Sequence, residues 1–155
     1  ETGTSFEENA LIKAKWGAQI SDLICLSDDS GLEISALNNE PGIYSARYLG
    51  YDTSYSFKNN DLIQRLSEAN DRSARYVCAV ACVVPFHQSK IFRGELNGTI
   101  AYEEKGSGGF GYDPIFIPEN ENRHYSELSL EERNQISHRQ KALLQAINYL
   151  KETLK

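Results

Sequence analysis

The chain has 155 residues, 40% of them hydrophobic and 25% charged, which is long enough and ordinary enough for one globular domain with a core of its own. A net charge of −6 excludes the clustered cations by which proteins hold DNA or RNA polymers, but admits a small phosphorylated ligand bridged by a divalent cation. No apolar run approaches the ~20 residues that span a bilayer and no charged-then-apolar leader opens the chain, so it reads as soluble, cytoplasmic and without a membrane partner.

The chain begins at Glu1-Thr2-Gly3 without an initiator Met and contains no Met at all, as a fragment or a processed product would. Ser5 and Glu8 have capping-box spacing, and Phe6, Ala10, Ala14 and Ala18 follow at four-residue steps, which predicts a first helix. Leu23 to Leu26 predicts a short strand ending in the acidic turn Ser27-Asp28-Asp29-Ser30-Gly31, with Leu32 to Ile34 leaving the turn as another strand. Pro41-Gly42 marks a loop, and a second helix is predicted from Phe57 to Ala69 with Leu62, Ile63 and Leu66 inward.

The period then changes. Tyr76 to Val84 is β-branched and apolar, and Ile91 to Leu96 and Thr99 to Tyr102 read as two strands joined by an Asn97-Gly98 hairpin turn. A glycine-rich loop from Gly106 to Gly111 precedes a short strand, Pro114 to Ile117. The last helix carries Ile136, Leu143, Ile147, Leu150 and Leu154 on one stripe. Helices bracketing a run of adjacent strands imply a mixed α/β fold with a substantial antiparallel section. Cys25, Cys78 and Cys82 form no Cys-x-x-Cys pair and the three histidines are scattered, so reduced thiols acting as small buried hydrophobes fit better than a zinc site.

Four strings could carry chemistry. In Ser27–Gly31, paired acids at a sheet edge suit Mg²⁺, which takes one or two carboxylates plus substrate phosphates, and a carboxylate there could activate water; a solvated turn has the same composition. In Lys105–Pro114, glycines permit close approach of backbone to a ligand, Phe110 and Tyr112 offer faces for stacking a base, and Asp113 offers an acceptor for a ring N–H; a flexible hairpin loop is the competing reading. In Ser137-His138-Arg139, two donors could meet a carbonyl oxygen on a base, or Ser137 could simply cap a helix; adjacent Ser and His rarely meet the geometry of a hydrolase nucleophile. In Pro41–Tyr48, a packed loop is favoured over a phosphate or subunit contact by Arg47.

These four strings occur together and in order, and the combination resembles the inosine triphosphate pyrophosphatase family. The matching stretches are ETGTSFEENALIKA, SDDSGLEISAL, PGIYSARY, FRGELNGTI, GSGGFGYDPIF and ERNQISHRQKAL, from residue 1 to about residue 145. The resemblance implies an elongated mixed sheet flanked by helices, two lobes with a central cleft, and usually a homodimer. It implies Mg²⁺-dependent hydrolysis of deaminated purine nucleoside triphosphates (ITP, dITP, XTP) to the monophosphate and pyrophosphate. Asp29 looks like the catalytic acid that engages metal and water, and Ser30 like a substrate contact beside it. Phe110, Gly111, Tyr112 and Asp113 look like the wall that stacks on and reads the purine, and His138 and Arg139 like donors to its 6-keto oxygen. Arg133 stands where the family has Lys, keeping the charge of a phosphate contact with a different donor geometry. The family's opening strand and phosphate loop have no counterpart here, and the register puts its metal-binding glutamate just before Glu1, so the single domain (residues 1–155) reads as truncated at its N-terminus. A nucleotide-binding chain that keeps the base pocket without turnover is the alternative.

Overall fold

The computed structural model describes residues 2–155; Glu1, which heads the first matching string, lies outside them. Helix α1 (Phe6–Ser21) starts where its cap predicts: Ser5 Oγ accepts from the Glu8 amide, while the Glu8 carboxylate reaches back to the amide and hydroxyl of Thr4. Phe6, Ala10 and Ala14 are buried at the expected four-residue steps.

The acidic string is not a turn. Cys25–Ile34 is one continuous strand, β1, with Asp28 and Asp29 in its middle. The turn-forming character of Asp-Ser-Gly is overridden because Leu32 and Ile34 are fully buried, and burial at alternate positions fixes an extended backbone and its register. Strand β2 (Glu40–Pro41) pairs antiparallel with the end of β1, Glu33 opposite Pro41.

Helix α2 (Tyr55–Arg65) starts and ends earlier than the apolar pattern indicates. Ser54 caps it by accepting from the Phe57 amide, and beyond Arg65 tight turns such as Ser67 N–H to Gln64 O replace the helical ladder. Leu62 and Leu66 are inward as predicted.

Strand β3 (Ser73–Val83) is buried along nearly its whole length, as a central strand covered on both faces should be. Strand β4 (Lys90–Ile100) corrects the hairpin reading, because it runs unbroken through Asn97-Gly98. Gly98 serves close approach instead of turning: it sits opposite Pro118 of β5 (Phe116–Pro118), where a Cβ would strike the carbonyl oxygen of Ile117. The sheet order is β2-β1-β3-β4-β5, and the two outer pairings are antiparallel.

Two helices close the chain, α3 (Leu130–Ile136) and α4 (His138–Thr153), where the pattern predicts one stripe. Ile136 belongs to α3, and the buried face of α4 is Ala142 and Ala146 while Ile147 and Leu154 are exposed. Small residues there let the helix lie close on the sheet.

The chain forms two compact units, and β1, β3 and β4 contribute residues to both. The first comprises the N-terminal segment through Ser30, Val77–Glu95 and Ser137–Lys155; its core includes Cys78, Val80, Ala142 and Ala146. The second comprises Gly31–Tyr76 and Leu96–Ile136, with a larger core around Leu32, Ile34, Leu62, Tyr76, Tyr112 and Phe116. Cys25, Cys78 and Cys82 form no disulfide, and Cys78 and Cys82 are buried. Among the described residues no helix is long and apolar enough to cross a membrane.

In the second unit Arg72 is buried and donates from Nε to Ile100 O (2.8 Å), from Nη1 to Leu66 O (3.0 Å) and from Nη2 to Ala101 O (2.7 Å), with Tyr102 stacked 4.0 Å away. Arg72→Met keeps the stem but leaves three carbonyls without this donor, so it is expected to destabilise the protein by about 2–4 kcal/mol. Urea denaturation checks this; an unchanged midpoint would mean the guanidinium is dispensable.

Candidate active site

In the first unit, alternation along β1 separates the neighbouring acids. Asp29 points toward α1, where Lys13 Nζ lies 3.7 Å from its Oδ1 and donates to the backbone carbonyl of Asp28 at 2.6 Å. The Asp29 side chain is only 12% exposed. Asp28 and Ser30, two residues apart on the opposite face, meet Arg139 of α4 instead. Arg139 Nε stands 3.3 Å from Asp28 Oδ2, and its Nη2 donates to Ser30 Oγ at 3.0 Å. The Cys78 thiol lies 3.9 Å from Asp28 Oδ2; burial and the nearby Asp28 charge push it up to about 11, so it stays a neutral thiol.

Lys13 is the site residue that sequence reasoning missed. It sits three residues after Ala10 and one before Ala14, so the same helical period that predicts the buried face places its stem beside β1. The signal was present in the spacing, but a lysine on a helix reads by default as solvated.

The first turn of α4 is set by two features. Ser137 Oγ accepts from the amides of Arg139 (3.1 Å) and Gln140 (3.4 Å), the predicted cap. Beneath it lies Gly94 of β4, where an added Cβ would collide with the His138 carbonyl oxygen and the Ala142 amide. Burial, aided by the Arg139 and Lys141 charges, lowers the His138 imidazole to about 3. At neutral pH it is uncharged and keeps one N–H to donate.

The second unit holds the glycine-rich loop. Its two aromatic residues divide: Phe110 is 72% exposed, whereas Tyr112 is 4% exposed and belongs to the core. The Tyr112 hydroxyl donates to Ser45 O (2.5 Å), its ring meets Tyr55 edge-on at 5.3 Å, and burial raises its hydroxyl far above the usual range. Tyr112 therefore corrects the stacking expectation: it anchors the loop, and Phe110 alone of the pair presents a face to solvent. Asp113 is buried and holds the loop's shape, Oδ1 accepting from the Tyr76 hydroxyl (2.6 Å) and Oδ2 from the Phe110 amide (3.0 Å). At Gly109, φ is +70° and a Cβ would meet the Asp113 carboxylate, so only glycine closes this turn. The backbone carbonyl of Gly111 accepts from Asn59 Nδ2 (3.2 Å), whose amide also donates to Glu104. Arg133 donates from Nη1 to Leu128 O (2.8 Å), and the same nitrogen would lie 2.6 Å from a Cβ at Gly108.

The Pro41–Tyr48 string packs against this loop. Ser45 Oγ accepts from the Leu32 amide, Lys58 Nζ donates to Ala46 O, and the Arg47 guanidinium lies 5.2 Å from the centre of the Tyr44 ring.

The donor chemistry fits magnesium. Asp29 offers hard carboxylate oxygens, and among the described residues no group of three or more His, Cys, Asp or Glu forms a metal cage. A cation held here would complete its shell with water and phosphate oxygens, as Mg²⁺ commonly does.

An α/β chain with a strand-borne carboxylate facing a lysine, and a glycine-rich loop carrying an exposed aromatic ring, has the parts of a nucleotide-processing enzyme. Comparison with known proteins agrees. The Ham1 family profile matches residues 1–149, and the chain belongs to the Ham1 family. A dITP/XTP pyrophosphatase of Staphylococcus aureus (strain MRSA252) is 44% identical over 143 residues, covering 92% of this chain and 73% of the relative. One from Symbiobacterium thermophilum is 45% identical over 153 residues, covering 97% and 76%. The solved structure of the Staphylococcus aureus Ham1 protein superposes with a TM-score of 0.94 at 41% identity, covering 99% of this chain and 80% of that one. A HAM1 protein from Coxiella burnetii gives 0.91 at 42%, covering 98% and 79%.

Two predictions follow from α4. Below about pH 6.5 the unfolded His138 binds a proton that the folded state refuses until about pH 3, so its contribution to stability is present at neutral pH and is lost as pH falls through that window. Between pH 7 and pH 5 the cost should be on the order of 1–2 kcal/mol, and His138→Gln should lose less stability than the parent over that interval. Denaturation at both pH values checks it; parallel losses would refute it. Gly94→Ala should push the first turn of α4 off the sheet and weaken purine nucleotide binding about tenfold or more, read by calorimetry.

Proposed function

We propose that this chain hydrolyses deaminated purine nucleoside triphosphates (ITP, dITP and XTP) to the monophosphate and pyrophosphate, with Mg²⁺ as cofactor. The observation that carries the reading is the largely buried Asp29 carboxylate beside Lys13, on the strand that also engages Arg139 through Asp28 and Ser30. Its relatives named dITP/XTP pyrophosphatase support the same chemistry and substrate class.

Asp29 accepts a proton from the attacking water, whose oxygen bonds to the α-phosphorus as the bond to the bridging oxygen breaks and pyrophosphate departs. Bound magnesium, held by Asp29, would neutralise phosphate oxygens and lower the charge barrier to that attack. Lys13 supplies a second positive charge near the same carboxylate and helps to orient it. Ser30, on the face of the strand that meets Arg139, contacts the substrate, and Arg133 contributes a guanidinium for phosphate.

Base reading falls to three groups. Phe110 stacks on the purine; the backbone of Gly111 and the buried Tyr112 hold the loop that presents it, and Asp113 serves as loop organiser and acceptor for a ring N–H. His138 and Arg139 donate to the 6-keto oxygen. Adenine presents an amino donor at that position, so donor would face donor, and a desolvated donor left without an acceptor is costly. The active form is a cytoplasmic homodimer.

Asp29→Asn should lower kcat by about a hundredfold to ten-thousandfold with little change in IMP affinity. Pyrophosphate release from ITP with Mg²⁺ measures the first, calorimetry the second. Full turnover by the variant would remove Asp29 from the chemistry, and IMP binding without turnover by the parent chain would replace the enzyme reading with a binding one.

A further inference from the structure

We infer that Asp28 is a positioning residue for base selection, acting through Arg139 and not on the phosphates, so that the acidic strand sets both chemistry and substrate choice. The inference deepens the proposed function and rests on its assignment of Arg139 as a base reader.

A guanidinium carries five N–H donors in a planar fork, and a single contact lets it swing about a long stem. Here it is held at two points. Asp28 Oδ2 engages Nε at 3.3 Å and Ser30 Oγ accepts from Nη2 at 3.0 Å. Because the two acceptors alternate on one strand face, their spacing is fixed by the strand itself at about 7 Å between Cα atoms. Together they set both the place and the plane of the guanidinium. The Arg139 side chain is 42% exposed, so neighbouring side chains alone do not cage it. Two further contacts fix Asp28: Lys13 holds its backbone carbonyl at 2.6 Å, and the Cys78 thiol borders its Oδ2 at 3.9 Å.

The charge pattern supports the same division of labour. Asp28 Oδ2 is engaged by Arg139 and Asp29 by Lys13, on opposite faces of the strand. The carboxylate of Asp28 is thus engaged by the guanidinium of α4, while the acid assigned to metal and water lies beside α1.

The test compares kcat/KM for ITP and for ATP in the parent chain, Asp28→Ala, Asp28→Glu, Arg139→Ala and the Asp28→Ala/Arg139→Ala double variant, with circular dichroism confirming fold. Asp28→Ala and Arg139→Ala should each lower the ITP:ATP ratio by about tenfold or more, and the double variant should be no less selective than Arg139→Ala. Asp28→Glu, which keeps the charge with a longer reach, should recover part of the loss. If Asp28→Ala proves unfolded, Ser30→Ala, which removes the other hold, should lower the ratio in the same way. A parent-like ratio in Asp28→Ala, with activity falling equally for both nucleotides or with a raised Mg²⁺ requirement, would overturn the inference. A parent-like ratio in Arg139→Ala would instead remove the base-reading assignment, and the inference with it.

Discussion

The first unit depends on a single strand presenting two consecutive carboxylates to two different cations. Because side chains alternate across a strand, Asp29 meets Lys13 of α1 while Asp28 and Ser30 meet Arg139 of α4. Two carboxylates on one face would repel and share one environment. On opposite faces each has its own counterion, and adjacent acids can take separate roles. A slip of one residue in β1 would exchange every partner, and the burial of Leu32 and Ile34 further along the strand guards against that slip.

The helices that supply the cations are placed by local devices of modest energy. Ser5 starts α1 so that Lys13 falls on the face toward β1, and Ser137 starts α4 so that Arg139 lies in its first turn. Gly94 lets the backbone of that turn approach β4 more closely than any side chain would permit. In the second unit the corresponding device is a carboxylate. Asp113 ties the Tyr76 hydroxyl to the Phe110 amide, so the exposed Phe110 ring is carried by a loop whose far side is built into the core.

Much of this was legible in the sequence, because caps and core stripes are local. Ser5, Ser137, the four-residue steps of α1 and the buried run of β3 follow from spacing and composition alone. The failures share one cause. Asp28-Asp29-Ser30-Gly31 and Asn97-Gly98 have the composition of turns, yet both lie in straight strands, because tertiary pairing and burial outweigh propensities of about 1 kcal/mol. In the second string glycine answers a steric demand from a neighbouring strand, and nothing local distinguishes that demand from a turn. Tyr112 failed as a stacking face for a similar reason: its partners, Ser45 and Tyr55, lie more than fifty residues away in sequence. The pairing of Arg139 with β1 crosses more than a hundred residues, and no periodicity reports it.

The two proposed base readers on α4 differ in charge, and the difference bears on selectivity. His138 is neutral across the physiological range because burial and two neighbouring cations disfavour its protonated form. A neutral imidazole donates one directed hydrogen bond and can, in its other tautomer, offer an acceptor instead, so alone it could accommodate an amino group as well as a carbonyl. Arg139 has no acceptor in any state. On the proposed reading, discrimination against adenine falls mainly on the guanidinium, which rejects an amino group only if it cannot rotate away from it. Held loosely, it would turn toward water and the penalty would vanish. The hold by Asp28 and Ser30 restrains a flexible cation, and on the proposed reading it is that restraint, more than the identity of the arginine, that would decide between a keto and an amino purine.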